Sequence, residues 1–166
     1  MAPEPHHIPS LEALTELAAT HKYLILDFTA QWCPPCKAIA PLFAKLAAQH
    51  TIPNKLAFCK VDVDEAADVA SKYAVTAMPT FLVLVDGEAV GVEVPASVTG
   101  GGVVRAQDGG NKVVQVRGAD PRGLLGVVEA VAGLAKAEGA GAGAGAEAAE
   151  EKAEEKKAEE VSSAAL

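Results

Sequence analysis

Apolar residues along this chain follow two repeating patterns, one typical of buried strands and the other of amphipathic helices. Residues 23–30 form an almost wholly apolar run, and residues 80–85 form a second. Continuous runs of this kind are typical of strands buried on both faces of a sheet. Residues 55–62 and 112–117 complete a set of four predicted strands.

Helical spacing occurs between and around these strands. We predict helices starting at the N-cap Ser10, over residues 34–50, over residues 64–73, and from Asp120 and Pro121 onward. Glycines within the last helix weaken it, so packing must stabilise it. Strands that alternate with helices predict an α/β fold, with a central mixed sheet flanked by helices on both faces and ending in an antiparallel hairpin.

Two cysteines, Cys33 and Cys36, lie three positions apart where the second helix starts. This spacing allows a disulfide within one helical turn, with one sulfur facing outward and the other facing the protein. The N–H groups and dipole of the helix N-terminus favour an anion, so we expect the pKa of the Cys33 thiol to fall below its free value. Cys33 is then the attacking thiolate of a thiol–disulfide exchange, and the sheltered Cys36 is the resolving thiol.

One acid, Asp27, interrupts the first apolar strand six residues before Cys33. Burial disfavours a charged carboxylate, so the pKa of Asp27 should rise, which makes it a plausible proton acceptor for Cys36. Alternatively, Asp27 is an acid satisfied by a buried partner such as Lys60. Lys60 fits both interpretations, because it can pair with Asp27 and tune its pKa.

Several separated motifs follow one another along the chain: Asp27, Trp-Cys-Pro-Pro-Cys-Lys at residues 32–37, Pro41 inside the second helix, Lys60, and Tyr-Ala-Val-Thr-Ala-Met-Pro-Thr at residues 73–80. In these features the chain resembles the thioredoxin family, over roughly residues 10–133. The order of the motifs makes the resemblance specific, whereas a lone cysteine pair would be weak. It implies the thioredoxin fold and the activity of a protein-disulfide reductase that carries electrons in cell redox homeostasis.

The resemblance also implies the surroundings of the dithiol. It implies a cis Met78–Pro79 bond packed against the cysteines. It implies a shallow apolar surface on which a substrate chain docks, formed by Trp32, Pro34, Ala77, Met78, Pro79, Gly118 and Ala119. No cofactor is expected to be bound. Electrons would come from NADPH through a flavoprotein thioredoxin reductase, and the other partners would be disulfide-containing client proteins.

The main departure from the family is an insertion at residues 87–111, within the last hairpin. Val90, Val92 and Val94 alternate with other residues, which favours an added strand. The strand before the insertion starts beside the dithiol and runs away from it. We therefore expect the insertion to lie opposite the chemistry and to leave catalysis undisturbed.

Composition limits the remaining possibilities. The net charge is −8, of which the tail at residues 137–166 carries −5, so a nucleic-acid surface is not expected. No apolar run reaches membrane-spanning length, so no membrane partner is expected. Three cysteines without a secretory signal indicate a reducing compartment, which we take to be the cytoplasm, and the third, Cys59, is expected to be a small buried residue.

These observations predict three regions: a flexible arm at residues 1–9, a thioredoxin domain at residues 10–136, and a Gly/Ala linker with an acidic Ala/Glu/Lys tail at residues 137–166. A monomer is expected. Two alternatives to a reductase remain. One is a non-catalytic interaction module that uses the insertion and the tail. The other is a zinc site, which lacks a second ligand pair, so we expect no metal.

Overall fold

A computed structural model describes residues 2–141 of the chain, and side chains are described as far as residue 138. The chain divides into two compact units, residues 1–131 and 132–166. The predicted domain extends to residue 136, so the first unit ends slightly earlier. Most of the predicted tail lies outside the described residues.

The described helices and strands follow the predicted order, with additional short strands. In chain order they are β1 (His6–His7), α1 (Leu11–Ala18), β2 (Tyr23–Thr29), α2 (Pro34–His50), β3 (Leu56–Asp62), α3 (Ala67–Lys72), β4 (Thr80–Val85), β5 (Glu88–Val90), β6 (Val92–Glu93), β7 (Val103–Arg105), β8 (Lys112–Arg117) and α4 (Pro121–Gly141).

The strands form one mixed sheet, as predicted. Its order is β1-β3-β2-β4-β8-β6, with β5 paired to β4 and β7 paired to β8. Strands β1, β3 and β2 are parallel, whereas β4 is antiparallel to both β2 and β8. Strand β2 lies inside the sheet and brings its last residues to the start of α2.

Both faces of β2 are covered. Leu24, Leu26 and Phe28 join a buried cluster with residues of α1 and α3, such as Leu14 and Val69. Side chains alternate across a strand, so the neighbours of these residues face the other side. There Phe43 of α2 packs against Phe58 and Phe81, with ring centroids 5.5 and 5.6 Å apart. Helices therefore lie on both faces of the sheet.

The prediction of a flexible arm is wrong for its last residues. His6 and His7 form β1 beside Cys59 and Lys60 of β3, and the amide of Ile8 donates to the carbonyl of Lys60 at 3.0 Å. Ile8 is buried in the core cluster. The prolines that suggested an unstructured arm favour extended backbone, and extended backbone also suits a strand at the edge of a sheet.

The insertion contains the added strand that the valine alternation predicts. A turn at Asp86 and Gly87, with φ of 53° and 83°, leads from β4 back into β5. Strand β6 then pairs with the first half of β8, where Val92 lies opposite Val113.

The expected position of the insertion is wrong. Strand β7 pairs antiparallel with β8, with Val103 opposite Val116, and the amide of Arg117 donates to the carbonyl of Gly102 at 2.8 Å. Arg117 in turn lies opposite Thr80, at the start of β4. The insertion begins at the end of the sheet away from the dithiol, as expected. The pairing of β7 with β8 then brings it back to the end where the dithiol lies.

The insertion packs against α4 through two of the helix's glycines. A Cβ at Gly126 would lie 2.7 Å from Val98 Cγ1, and a Cβ at Gly123 would lie 2.8 Å from Val103 Cγ2. These distances are too short for a methyl group. The glycines that weaken the helix therefore make room for the insertion, and packing returns part of the lost stability.

Candidate active site

The two cysteines are held by the start of α2. They are joined by a disulfide, with Cα atoms 5.3 Å apart. Cys33 is the helix N-cap, and the amide of Cys36 donates to its sulfur at 3.2 Å. Pro34 and Pro35 have no N–H group, so the amide of Cys36 is the first donor of the helix. The Cys33 sulfur therefore lies where the helix favours negative charge.

The expectation of one outward sulfur is not met in this disulfide form, because Cys33 is 4% exposed and Cys36 is 2% exposed. The two differ in their contacts instead. The Cys33 sulfur lies 3.7 Å from the carbonyl oxygen of Met78 and accepts the helix amide, whereas no polar contact of the Cys36 sulfur occurs among the described residues.

The loop before β4 faces the dithiol as expected. The Met78–Pro79 peptide bond is cis, which confirms that part of the prediction. The hydroxyl of Thr80 donates to the carbonyl of Ala77 at 2.7 Å. The amide of Gly118 donates to the carbonyl of Pro79 at 2.7 Å, and Gly118 has a φ of 89°, which favours glycine. The structure thus brings Cys33, the Met78–Pro79 loop and Gly118 together.

Trp32 is 65% exposed, and its indole Nε1 donates to Asp64 Oδ2 at 2.8 Å. Sequence reasoning missed Asp64. Its position follows from a turn in which Asp62 Oδ1 accepts the amides of Asp64 and Glu65 at 2.9 and 3.4 Å. The remaining predicted docking residues Pro34, Ala77 and Ala119 are exposed.

Asp27 is buried in β2 at 1% exposure, and burial raises its pKa to about 7, although the charge of Lys60 lowers it. This confirms the predicted direction. Lys60 lies opposite Asp27 in register but is itself exposed. Asp27 Oδ1 has no hydrogen-bond partner among the described residues, which disfavours the alternative of a fully satisfied acid.

A cavity of about 550 Å³ lies beside Cys36. Its lining includes Cys36, Ala30, Lys60, His7 and Glu65. His7 Nε2 and Glu65 Oε1 are 2.5 Å apart at its edge. The cavity therefore connects the surroundings of Cys36 with the lysine that acts on Asp27.

Comparison with known proteins identifies this arrangement. The family model described as Thioredoxin matches residues 11–101. The chain is 41% identical over 137 residues to a thioredoxin-like protein of Fusarium culmorum, covering 82% of this chain and 98% of that protein. It is 40% identical over 136 residues to a thioredoxin of Neurospora crassa, covering 82% and 93%. The chain belongs to the thioredoxin family.

Solved thioredoxin structures share the fold. Thioredoxin of Malassezia sympodialis matches with a TM-score of 0.59 and 27% identity, covering 80% of this chain and 95% of that one. Mitochondrial thioredoxin 3 of Saccharomyces cerevisiae in its oxidised form matches with a TM-score of 0.56 and 29% identity, covering 75% and 93%. Together with the Cys33–Cys36 pair, these relatives make the protein a thiol–disulfide oxidoreductase.

Three further observations concern the described residues of this thioredoxin-family chain. Cys59 is fully buried and unpaired, and burial raises the pKa of its thiol, so it is not poised to react. Within residues 2–141, no three His, Cys, Asp or Glu side chains are grouped to hold a metal ion. Over the same residues, no helix has both the length and the apolar character needed to cross a bilayer.

Proposed function

We propose that the protein reduces disulfides of client proteins, with Cys33 as the attacking thiolate and Cys36 as the resolving thiol. The observation that carries this assignment is the place of the Cys33 sulfur at the N-terminus of α2, where it accepts the amide of Cys36. In the reduced protein the same amide and the helix dipole stabilise a thiolate. The other sulfur has no comparable donor among the described residues.

The reaction then proceeds in two exchanges. The Cys33 thiolate attacks one client sulfur, so a Cys33–client bond forms, the client disulfide breaks and the other client sulfur leaves as a thiolate. Cys36 next gives up its proton and attacks the Cys33 sulfur. The Cys33–Cys36 bond closes and the second client sulfur leaves. Two electrons pass to the client, and the disulfide form described here is the product.

Asp27 is the proposed acceptor for the Cys36 proton. Burial raises the pKa of Asp27 to about 7, so near neutral pH the carboxyl group can both take up and release a proton. The cavity that borders Cys36 and Lys60 supports this assignment, because it opens beside the proton donor and beside the lysine whose charge acts on Asp27. Lys60 acts on Asp27 by favouring its charged form, which makes it a positioning and tuning residue.

The client is proposed to dock around the dithiol, on a surface whose predicted members are exposed or half-buried except for Pro79, which is buried. The large exposed ring of Trp32, fixed by Asp64, provides the apolar part of this surface. Its other members are Pro34, Ala77, Met78, Pro79, Gly118 and Ala119. Pro79 and Gly118 are held together by their 2.7 Å hydrogen bond, so the surface is formed before the client arrives.

Reducing equivalents are proposed to come from NADPH through a flavoprotein thioredoxin reductase. Each round of client reduction leaves the Cys33–Cys36 disulfide, and an external donor must supply two electrons to open it again. A reducing compartment, the cytoplasm, is proposed as the site of action. The buried, unpaired Cys59 supports this location. The protein is proposed to act as a monomer. NADPH consumption by a thioredoxin reductase, measured with and without this protein, tests the electron source.

Trapping tests the assignment of the two cysteines. Cys36→Ser removes the resolving thiol and should accumulate mixed disulfides through Cys33 in a cell extract. Cys33→Ser should trap none, and Cys59→Ser should behave as the parent protein. Trapping that persists in Cys33→Ser, or turnover that survives it, would contradict the assignment.

A further inference from the structure

A groove lies between the insertion and α4, and its residues take no part in the chemistry above. Residues 97–99 form one wall, Arg122, Leu125 and Glu129 form the other, and Gly126 lies between them. Its volume is about 260 Å³. We refer to it as the insertion groove.

The insertion wall of this groove is fixed in place. Val98 sits on Gly126, where a Cβ would come within 2.7 Å of it. The guanidinium of Arg105 donates to the carbonyls of Val94, Pro95 and Val98 at 3.0 to 3.2 Å. Three charge-assisted hydrogen bonds to carbonyls between residues 94 and 98 hold this segment in place, so little conformational freedom is lost when the groove is filled.

Backbone hydrogen bonds link the insertion to the loop beside the dithiol. Gly118, which donates to Pro79 beside the cysteines, directly follows Arg117, and Arg117 donates to Gly102 of the insertion. Asp120 Oδ2 accepts the amide of Gly102 at 3.0 Å.

The same carboxylate joins the insertion to α4. Asp120 Oδ1 accepts the amide of Gly123 at 3.1 Å and so caps the helix whose first turn carries Arg122. Arg122 of the groove is therefore only three positions along the chain from Ala119 of the proposed docking surface, on the other side of the Asp120 cap.

The chemistry of the groove changes along α4. Arg122 lies at the end nearest Asp120, and Leu125, which is 39% exposed, lies about 4.5 Å further along the helix axis. Glu129 lies at the far end. Neither Arg122 nor Glu129 has a hydrogen-bond or ion-pair partner among the described residues. The near end is thus basic, the middle is apolar and the far end is acidic.

We infer that the insertion groove binds the stretch of client polypeptide that flanks the disulfide under attack. It favours a client with a carboxylate side chain opposite Arg122 and an apolar side chain over Leu125. This inference rests on the proposed reduction of client proteins, and it adds a sequence preference to the proposed docking site. The insertion is then a specificity element, which explains why it returns to the dithiol end of the sheet.

The test uses short peptides, each with one cysteine in a mixed disulfide with 2-mercaptoethanol. One peptide carries glutamates on both sides of the cysteine and the other carries glutamines. Single-turnover rate constants with the reduced full chain are followed through the fluorescence of Trp32, the single tryptophan. Bis(2-hydroxyethyl) disulfide, too small to reach the groove, measures the reaction without docking.

We expect the parent protein to prefer the glutamate peptide about fivefold, and Arg122→Glu to abolish or reverse that preference. An acidic residue in the first turn suits the helix dipole, so this variant should fold. Thr99→Glu, on the opposite wall, should act in the same direction and decides the question if Arg122→Glu does not fold. Lys45→Glu on α2 makes the same charge change away from the groove and should keep the parent preference.

An equal glutamate preference in Arg122→Glu, Thr99→Glu and Lys45→Glu would overturn the inference while leaving the reductase function intact. Failure of the parent protein to reduce bis(2-hydroxyethyl) disulfide would instead refute the proposed function, and this inference with it.

Discussion

Asp27 and Lys60 lie opposite each other on adjacent parallel strands, yet the aspartate is buried while the lysine is exposed. Burial raises the pKa of the carboxyl group from 3.8 to about 7, and the lysine charge partly opposes this rise. Between pH 3.8 and about 7, Asp27 is therefore mostly uncharged in the folded protein and mostly charged in the unfolded chain. Stability and catalysis should both reflect this balance.

The first prediction concerns stability against pH. Between its unfolded and folded pKa values, Asp27 binds a proton only in the folded state, so the free energy of unfolding should fall as pH rises. The loss should begin above pH 3.8, be complete once pH passes about 7, and reach up to about 4 kcal/mol. Urea unfolding of the oxidised protein at several pH values measures it. Asp27→Asn should remove this component, whereas Glu16→Gln, an exposed change in α1, should retain it.

Asp27→Asn should also slow the second exchange. Without a carboxylate to accept the Cys36 proton, release of the client should fall on the order of 10²-fold, while attack by Cys33 is unchanged. Rapid quenching followed by mass spectrometry resolves the two steps. An unchanged rate of client release would show that another group takes the proton.

Lys60→Met tests the tuning of Asp27. Removing the positive charge raises the pKa of Asp27 further, because that charge favours the carboxylate. The pH at which the free energy of unfolding stops falling should move upward. The midpoint pH of the client-release rate should move upward as well. Lys55→Met, just before β3, is the matched control. Identical profiles for both variants and the parent would argue against the coupling.

Two neighbouring glycines of the insertion provide a stability test. A Cβ at Gly102 would lie 2.0 Å from the carbonyl oxygen of Arg117, whereas a Cβ at Gly101 would meet nothing within 4 Å. Gly102→Ala should therefore cost about 2 kcal/mol or more, and Gly101→Ala should be neutral or slightly stabilising. Thermal unfolding compares them. Equal midpoints would mean that the insertion is not clamped to Arg117.

Strong local signals explain what the sequence predicted. The helix at Pro34–His50 begins where two prolines suit a first turn, and the strand at Tyr23–Thr29 is a run that is apolar apart from Asp27 and Thr29 and is buried as far as Phe28. The Met78–Pro79 cis bond and the raised pKa of Asp27 were likewise expected.

The features that sequence reasoning missed depend on partners distant in the chain. Strand β1 has only two residues, and it is recognisable as a strand only beside β3. The bond between Trp32 and Asp64 spans 32 positions and depends on a turn. The return of the insertion was not predicted, because the sequence locates where the insertion starts but not which strand its end pairs with. Pairing register, which the local pattern does not contain, decides where Val103–Arg105 lies.

Strand β7 affects how readily two copies of the molecule can associate through the edges of their sheets. It covers the side of β8 away from β4, so the margin of the sheet there is a strand of three residues with a register shift between Val104 and Arg105. The opposite margin, β1, has two residues. Brief, irregular margins offer few main-chain groups for another chain to pair with. The molecule should therefore resist aggregation through the margin that β7 covers, even when it is concentrated.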